Sequence, residues 1–309
     1  MRPSLAPAEP APQPTTREKA ATSAPEASSE KPRWPVVVAA GDIACDPRAP
    51  TFNDGLGTFD SCRQGLTAEL VERIDPDAVL VLGDDQYDDG TFRDYRRSYD
   101  PSWGKFKRIS HPTPGDPRAG ASLNGYYRYW DRRARPKALP WYSFSIGDWH
   151  VISLNSNCGA VGGCEPGSPQ YDWLRADLAA HSGGCQIAFL HEPVFSSTAS
   201  AATESLDSLW QALAGARVEV LLSGDAHNYE RFRKQDAGGL PTPDGVRQFV
   251  VGTGGESLTP FTKRSPGTAR RNSTTFGVLK LTLRAKSYRW RFVPVPGAVF
   301  GDAGGDACR

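Results

Sequence analysis

The chain has 309 residues, a formal net charge of +1 and 39% hydrophobic residues, an ordinary composition for a globular protein. So balanced a charge leaves no electrostatic footprint for nucleic acid. No apolar stretch approaches the ~20 residues a helix needs to cross a bilayer.

Residues 1–34 hold seven prolines among many Ala, Ser, Thr and Glu, with Leu5 and Trp34 as the large hydrophobes beyond Met1. That is too little apolar surface to offset chain entropy, so the segment reads as a disordered leader ahead of a folded domain over 35–309. No apolar signal-peptide core follows Met1 and Arg2, so either export is absent or the translation start lies upstream. Four short apolar runs come next, interspersed with helical patterns: Pro35–Ala40 (PVVVAA), Asp77–Leu82 (DAVLVL), Gln186–Leu190 (QIAFL) and Val218–Ser223 (VEVLLS). Bounded by turn residues, they read as buried strands. Gly65–Ile74, Tyr171–Ala180 and Ser205–Leu213 place apolar residues three and four apart, as amphipathic helices do. The aromatic cluster Tyr126, Tyr127, Tyr129, Trp130, Trp141, Tyr142, Phe144 and Trp149 reads as packing between loops and a sheet edge, in preference to a substrate-binding wall. The neighbouring Arg132, Arg133, Arg135 and Lys137 read as a solvated face. Gly277–Val295 alternates apolar and polar residues around Ala285, Lys286 and Ser287, the pattern of a hairpin completing the second sheet. Strands at both ends of the chain with helices between them predict an α/β fold, helices lying outside a central pair of sheets.

Each of the four strand-like runs ends in a group able to hold a metal ion. Asp42 follows the first, Asp84 and Tyr87 the second, His191 the third, and Asp225 and His227 the fourth. In α/β sheets the carboxyl ends of buried strands gather loops around a ligand, so four such ends can deliver side chains to one place. Carboxylates, imidazoles and a phenolate together suit divalent or ferric ions. A glycine before each carboxylate lets the backbone turn sharply. A central carboxylate can bridge two ions, and Asp84 is the natural candidate. A single Gly-Asp is more often a plain turn; the ordered set is what points to a metal centre.

Five blocks carry a resemblance to a known family: Gly41-Asp42-Ile43-Ala44, Gly83-Asp84-Asp85-Gln86-Tyr87, Thr113-Pro114-Gly115-Asp116, His191-Glu192-Pro193 and Gly224-Asp225-Ala226-His227-Asn228-Tyr229-Glu230-Arg231. They resemble the metal-ligand blocks of the calcineurin-like metallophosphoesterases. Tyr87, and the lack of a His two residues past Asp42, resemble the purple acid phosphatase branch. The likeness covers about residues 36–300, including Gln248–Gly255 (QFVVGTGG). It implies a four-layer α/β/β/α sandwich, two divalent or mixed-valence ions (Fe, Mn, Zn or Mg), and hydrolysis of a phosphate ester by a metal-bound hydroxide. It places Asp42, Asp84, Tyr87 and His227 at one ion, and Asp84, Asp116, His191 and Asp225 at the other. Asn155 and Asn157 read as loop-fixing residues, and Glu230 with Arg231 as an ion pair beneath the site.

Two ligand positions depart from the pattern. Where the family reads Gly-Asn-His, this chain has Gly115-Asp116-Pro117, followed by Arg118; where it reads Gly-His-x-His, this chain has Gly224-Asp225-Ala226-His227. Three carboxylates at the second ion favour hard cations such as magnesium, manganese or calcium over zinc. They also weaken Lewis acidity and repel an incoming phosphate. Replacing the histidine that assists the departing group by Pro117 costs on the order of a hundredfold or more in rate. Arg118 is the candidate to supply charge to a phosphate oxygen, although it cannot donate a proton near neutral pH; His111 reads as a structural loop residue. The expectation is a phosphomonoesterase or phosphodiesterase of reduced turnover. The alternative is a catalytically weak or inactive metal-binding relative that acts as a binding or regulatory protein. No Gly-x-Ser-x-Gly elbow and no Walker-type loop offers a competing chemistry.

Six cysteines allow 15 pairings; the expected set is Cys45–Cys62, Cys158–Cys164 and Cys185–Cys308, the alternative being free thiols in a cytosolic protein. That expectation places the protein in an oxidising compartment, extracellular or in the cell envelope. With no Cys-x-x-Cys pair, a structural zinc site is not expected.

Overall fold

The computed structural model describes residues 1, 34–116, 123–198 and 206–309. Of the expected leader only Met1 and Trp34 fall among them, and Pro117 and Arg118 lie outside the described residues. In chain order the strands are β1 (Val36–Ala40), β2 (Ala78–Val81), β3 (Ser110–Pro112), β4 (Tyr142–Ile146), β5 (Trp149–Ser153), β6 (Gln186–Phe189), β7 (Val220–Ser223), β8 (Tyr229–Gln235), β9 (Val246–Val251), β10 (Thr268–Asn272), β11 (Gly277–Arg284), β12 (Ser287–Pro294) and β13 (Ala303–Ala307). The longer helices are α1 (Gln64–Ile74), α2 (Asn124–Trp130), α3 (Pro169–Ala180) and α4 (Asp207–Gly215).

One sheet runs β13-β12-β11-β1-β2-β3 and the other β10-β8-β9-β7-β6-β5-β4. In the first, β1, β2 and β3 are parallel; in the second, β5, β6, β7 and β9 are. The apolar runs become these parallel strands because both of their faces are covered. In β7, Val220 and Leu222 join the core between the sheets, while Leu221 packs with Leu174, Leu178, Leu209 and Leu213 of α3 and α4. A strand buried on both faces has no polar side to show, hence the unbroken apolar run. On the other flank α1 packs against β11, which completes the α/β/β/α sandwich.

The hairpin expected over Gly277–Val295 forms, with Arg284 opposite Ser287 across a two-residue turn. It joins the first sheet, through β11 and β1, and not the second as the sequence suggested. Alternation sets which face of a strand is buried but says nothing of which sheet receives it. His111 is also misplaced by sequence reasoning: it lies in β3, its ring stacked on Phe144 at 3.7 Å between centroids. Burial and the neighbouring Arg133 push its pKa down to about 4. The aromatics do pack as expected, with Tyr126, Tyr129, Trp130, Trp141, Tyr142 and Trp149 all buried.

All three expected disulfides form. Cys185 precedes β6 and Cys308 follows β13, so their bond ties one sheet to the other across a separation of 123 residues. Closing a loop of that length removes roughly 5 kcal/mol of unfolded-chain entropy.

Candidate metal centre

The parallel halves of the two sheets end at one edge of the sandwich, where Gly41 N–H donates to the Val251 carbonyl at 2.9 Å and Gly224 N–H to the His191 carbonyl at 2.9 Å. The sheets approach this closely because small residues line the seam. A β-carbon on Gly115 would fall 1.8 Å from Asp84 Oδ1, one on Gly83 2.6 Å from the His191 ring, and one on Gly224 2.8 Å from Asp42 Oδ2. The glycines before Asp84, Asp116 and Asp225 are therefore required for space. The sharp turn is made by the functional residues themselves: Asp42, Asp84, Asp225 and His227 have φ of 58°, 45°, 64° and 47°. Left-handed backbone at four non-glycine residues stores of order 1 kcal/mol or more at each and is typical of functional sites.

The side chains converge. Asp42 is fully buried; its Oδ1 accepts from the Tyr87 hydroxyl at 2.8 Å and lies 3.3 Å from His227 Nε2, and its Oδ2 accepts from Asp225 N–H at 2.9 Å. His191 Nε2 stands 3.2 Å from Asp116, 3.7 Å from Asp84 and 3.9 Å from Asp225. Asp42, Asp84 and His191 offer ligand atoms within 4.8 Å of one another, and so do Asp116, His191 and Asp225. Both imidazoles are oriented from behind. His191 Nδ1 donates to the Leu82 carbonyl at 2.9 Å. Ser257 gives its hydroxyl proton to Glu256 and accepts from His227 Nδ1 at 2.9 Å. In each ring Nε2 is left facing the acids, as a metal-ligating histidine requires.

The electrostatics call for a cation. Burial lifts Asp84 to about 7, against the pull of His191, and burial also raises Asp225. Asp116 is held down to about 2 by its hydrogen bond from His191. Burial alone would lower both histidines, but Asp42 and Glu256 outweigh it and raise His227 to about 10, and Asp84 and Asp116 raise His191. Four carboxylates around two imidazoles whose Nε2 atoms face them, with a phenol pointing inward, form a donor set that fits divalent or ferric ions once the protons are displaced.

Comparison with known proteins accords with this geometry. No family-level profile matches the chain. Among solved structures, the fold is similar to purple acid phosphatase PPD1 from yellow lupin (Lupinus luteus) seeds, with a TM-score of 0.67 and 19% identity over 88% of this chain and 53% of that one. It is also similar to GAP50, the anchor in the inner membrane complex of Plasmodium, with a TM-score of 0.63 and 14% identity over 90% of each chain. In sequence, it is 27% identical over 257 residues to purple acid phosphatase 22 of Arabidopsis thaliana, covering 72% of this chain and 55% of the relative. The probable purple acid phosphatase 20 of the same plant is 26% identical over 195 residues, 54% of this chain and 43% of the relative. These likenesses support the resemblance to the purple acid phosphatase-like branch of the calcineurin-like metallophosphoesterases. It spans about half the length of the curated relatives it matches.

The structure brings Asp42, Asp84, Tyr87, Asp116, His191, Asp225 and His227 together in one place. Arg118, expected beside them, falls outside the described residues. Asn157 fixes the third block as expected, donating to the Gly115 carbonyl at 2.9 Å. The expected Glu230–Arg231 ion pair does not form, because successive residues of a strand face opposite ways. Glu230 accepts from Ser197 and Thr268, and Arg231 pairs with Asp302 at 2.6 Å. Sequence reasoning missed Glu256 and Ser257, which brace His227; they follow the Gly252-Thr253-Gly254-Gly255 run, and an acid just past that turn was the available signal. It also missed Asp85, which is buried and accepts from Tyr95 at 2.7 Å and from Trp130, so it anchors the loop and turns away from the cleft.

Proposed function

We propose that the cleft holds two metal ions and hydrolyses a phosphate ester. Asp42, Tyr87 and His227 would hold one ion, Asp116, His191 and Asp225 the other, and Asp84 would be shared. When bound, such ions supply positive charge for phosphate oxygens and acidify a water. The chain's own part is to fix the donors: the Leu82 carbonyl and the Ser257–Glu256 pair aim the two imidazoles, and the seam glycines let Asp84 and Asp42 close in. The observation that carries the reading is the 3.7 Å approach of His191 to Asp84, with Asp42 in the same group of ligand atoms. Tyr87, 2.8 Å from Asp42 and 3.0 Å from His227, favours a hard ferric ion on its side. Turnover below that of the family follows from Asp116 and Asp225, whose extra negative charge repels a phosphate dianion. The three disulfides support an extracellular or cell-envelope setting.

The crowd of carboxylates at His191 also favours a second reading, a metal-binding relative with little turnover. Hydrolysis of p-nitrophenyl phosphate and of its bis-ester, with manganese or with ferric iron and zinc, separates the two. Turnover above that of Asp84→Asn supports the enzyme, and the ratio of the two substrates assigns monoester or diester. Equal rates for the parent and the variant under every metal sink the enzyme reading. A violet colour on ferric loading that disappears in Tyr87→Phe supports the assignment of Tyr87.

A further inference from the structure

Beyond β1 the outer face of the first sheet carries charge that the metal centre does not use. Strand alternation turns Lys280, Thr282 and Arg284 of β11 and Ser287, Arg289 and Arg291 of β12 to one side. Leu281, Leu283, Tyr288, Trp290 and Phe292 fill the core on the other. By register, β13 adds only Ala303, Gly305 and Ala307 to the outer side. These residues line a shallow trough of about 860 Å³.

Four cations stand on this face without an acid. Lys280 lies directly opposite Arg291, a like-charge pairing that destabilises a sheet. None of Lys280, Arg284, Arg289 and Arg291 has an ion pair among the described residues, whereas Arg48, Arg96, Arg231 and Arg247 all do. The acids of the adjoining segment are engaged elsewhere: Asp306 faces Arg247 at 2.7 Å and Lys234 at 3.7 Å, both from the second sheet, and Asp302 faces Arg231. The fold thus gathers positive charge, leaves it unpaired and keeps bulky side chains off its flank.

We propose that this face binds an acidic polysaccharide. From Lys280 to Arg284 the cations extend about 13 Å along β11, at ~3.3 Å per residue, a span that suits the repeated charges of an extended polymer better than a single phosphate. The aromatic side chains of β12 point into the core, so there is no platform on which nucleic-acid bases could stack. The exposed apolar side chains of the trough are Ala303 and Ala307, too small to insert into a lipid surface. Neutral polar replacements should leave the core untouched, since every side chain concerned lies on the outer face.

Heparin and polygalacturonate are the probes, with the full chain as the sample. Binding to either is expected to weaken at least tenfold in the double variant Arg289→Gln/Arg291→Gln, whose side chains are both exposed. It is expected to be lost in the quadruple variant that adds Lys280→Gln and Arg284→Gln. Circular dichroism and thermal midpoint establish that each variant is folded, and the double variant decides if the quadruple one is not. Unchanged binding by the folded double variant overturns the proposal. So does an equal loss in Arg132→Gln/Arg133→Gln/Arg135→Gln, or tighter binding of a single-stranded oligonucleotide or an anionic vesicle through the same residues.

Discussion

The two halves of the candidate metal site are built on the same plan, yet they are held differently. On one side Asp42 is fully buried, takes the Tyr87 hydroxyl and the Asp225 amide, and faces a His227 braced by Ser257 and Glu256. On the other, Asp116 is 46% exposed and Asp225 21%, and among the described residues only His191 of the three donors is braced from behind, by one backbone carbonyl. The closed half keeps the donors that the resemblance implies; the open half has carboxylates where the resemblance implies an amide and an imidazole. Geometry at such a centre is set less by the donors than by what holds them, and the replaced donors are those with the fewest constraints.

The largest expected effect breaks or keeps that contrast directly. His227→Ala should weaken metal binding on the order of a thousandfold, beyond the ~10–100-fold that loss of a supporting partner costs, while Asp116→Ala should cost about tenfold or less. Equilibrium dialysis measures both, and equal losses would show that the halves are not held differently.

Acid is the next probe, and it needs a background from outside the cleft. His111 has a folded pKa of about 4, below the ~6.5 of an unfolded histidine. As pH falls from 6.5 to 4 the unfolded chain takes up a proton that the folded one refuses, so stability drops by up to about 3 kcal/mol and then levels. His111→Phe keeps the stack on Phe144 and should flatten that slope in urea unfolding at pH 7.5 and 4.5. An unchanged slope would move the acid sensitivity into the cleft.

Smaller effects sharpen the comparison. Glu256→Gln weakens the brace behind His227 and should lower metal affinity in the closed half by ~10–100-fold, read as loss of the ferric colour at limiting iron. Asp225→His restores an imidazole to the open half and should shift the preference between zinc and manganese by about tenfold toward zinc. A shift toward manganese would contradict the charge argument for that half.

Both halves were legible in their donors, and the closed half less so in its support. Asp42, Asp84, Tyr87, His191, Asp225 and His227 could be read because each follows a strand whose two buried faces leave an unbroken apolar run. Glu256 could not, since its role depends on Ser257 and on the loop after β9 packing against the Asp42 turn. The same limit explains the edge of the first sheet: β13 reads Ala-Gly-Gly-Asp-Ala, with no apolar signal, and is recognisable only from its pairing with β12. Arg231 was assigned to its sequence neighbour because its partner Asp302 is 71 residues away. Local pattern reports burial; it does not report which distant groups meet.

The left-handed backbones of Asp42, Asp84, Asp225 and His227 set heat tolerance against chemistry. Glycine relieves such conformations at no steric cost, so a laboratory selection for thermal resilience alone, run on metal-free protein, should enrich it at these four positions. The survivors would be sturdier and inert, and the same substitutions under selection for turnover should be purged.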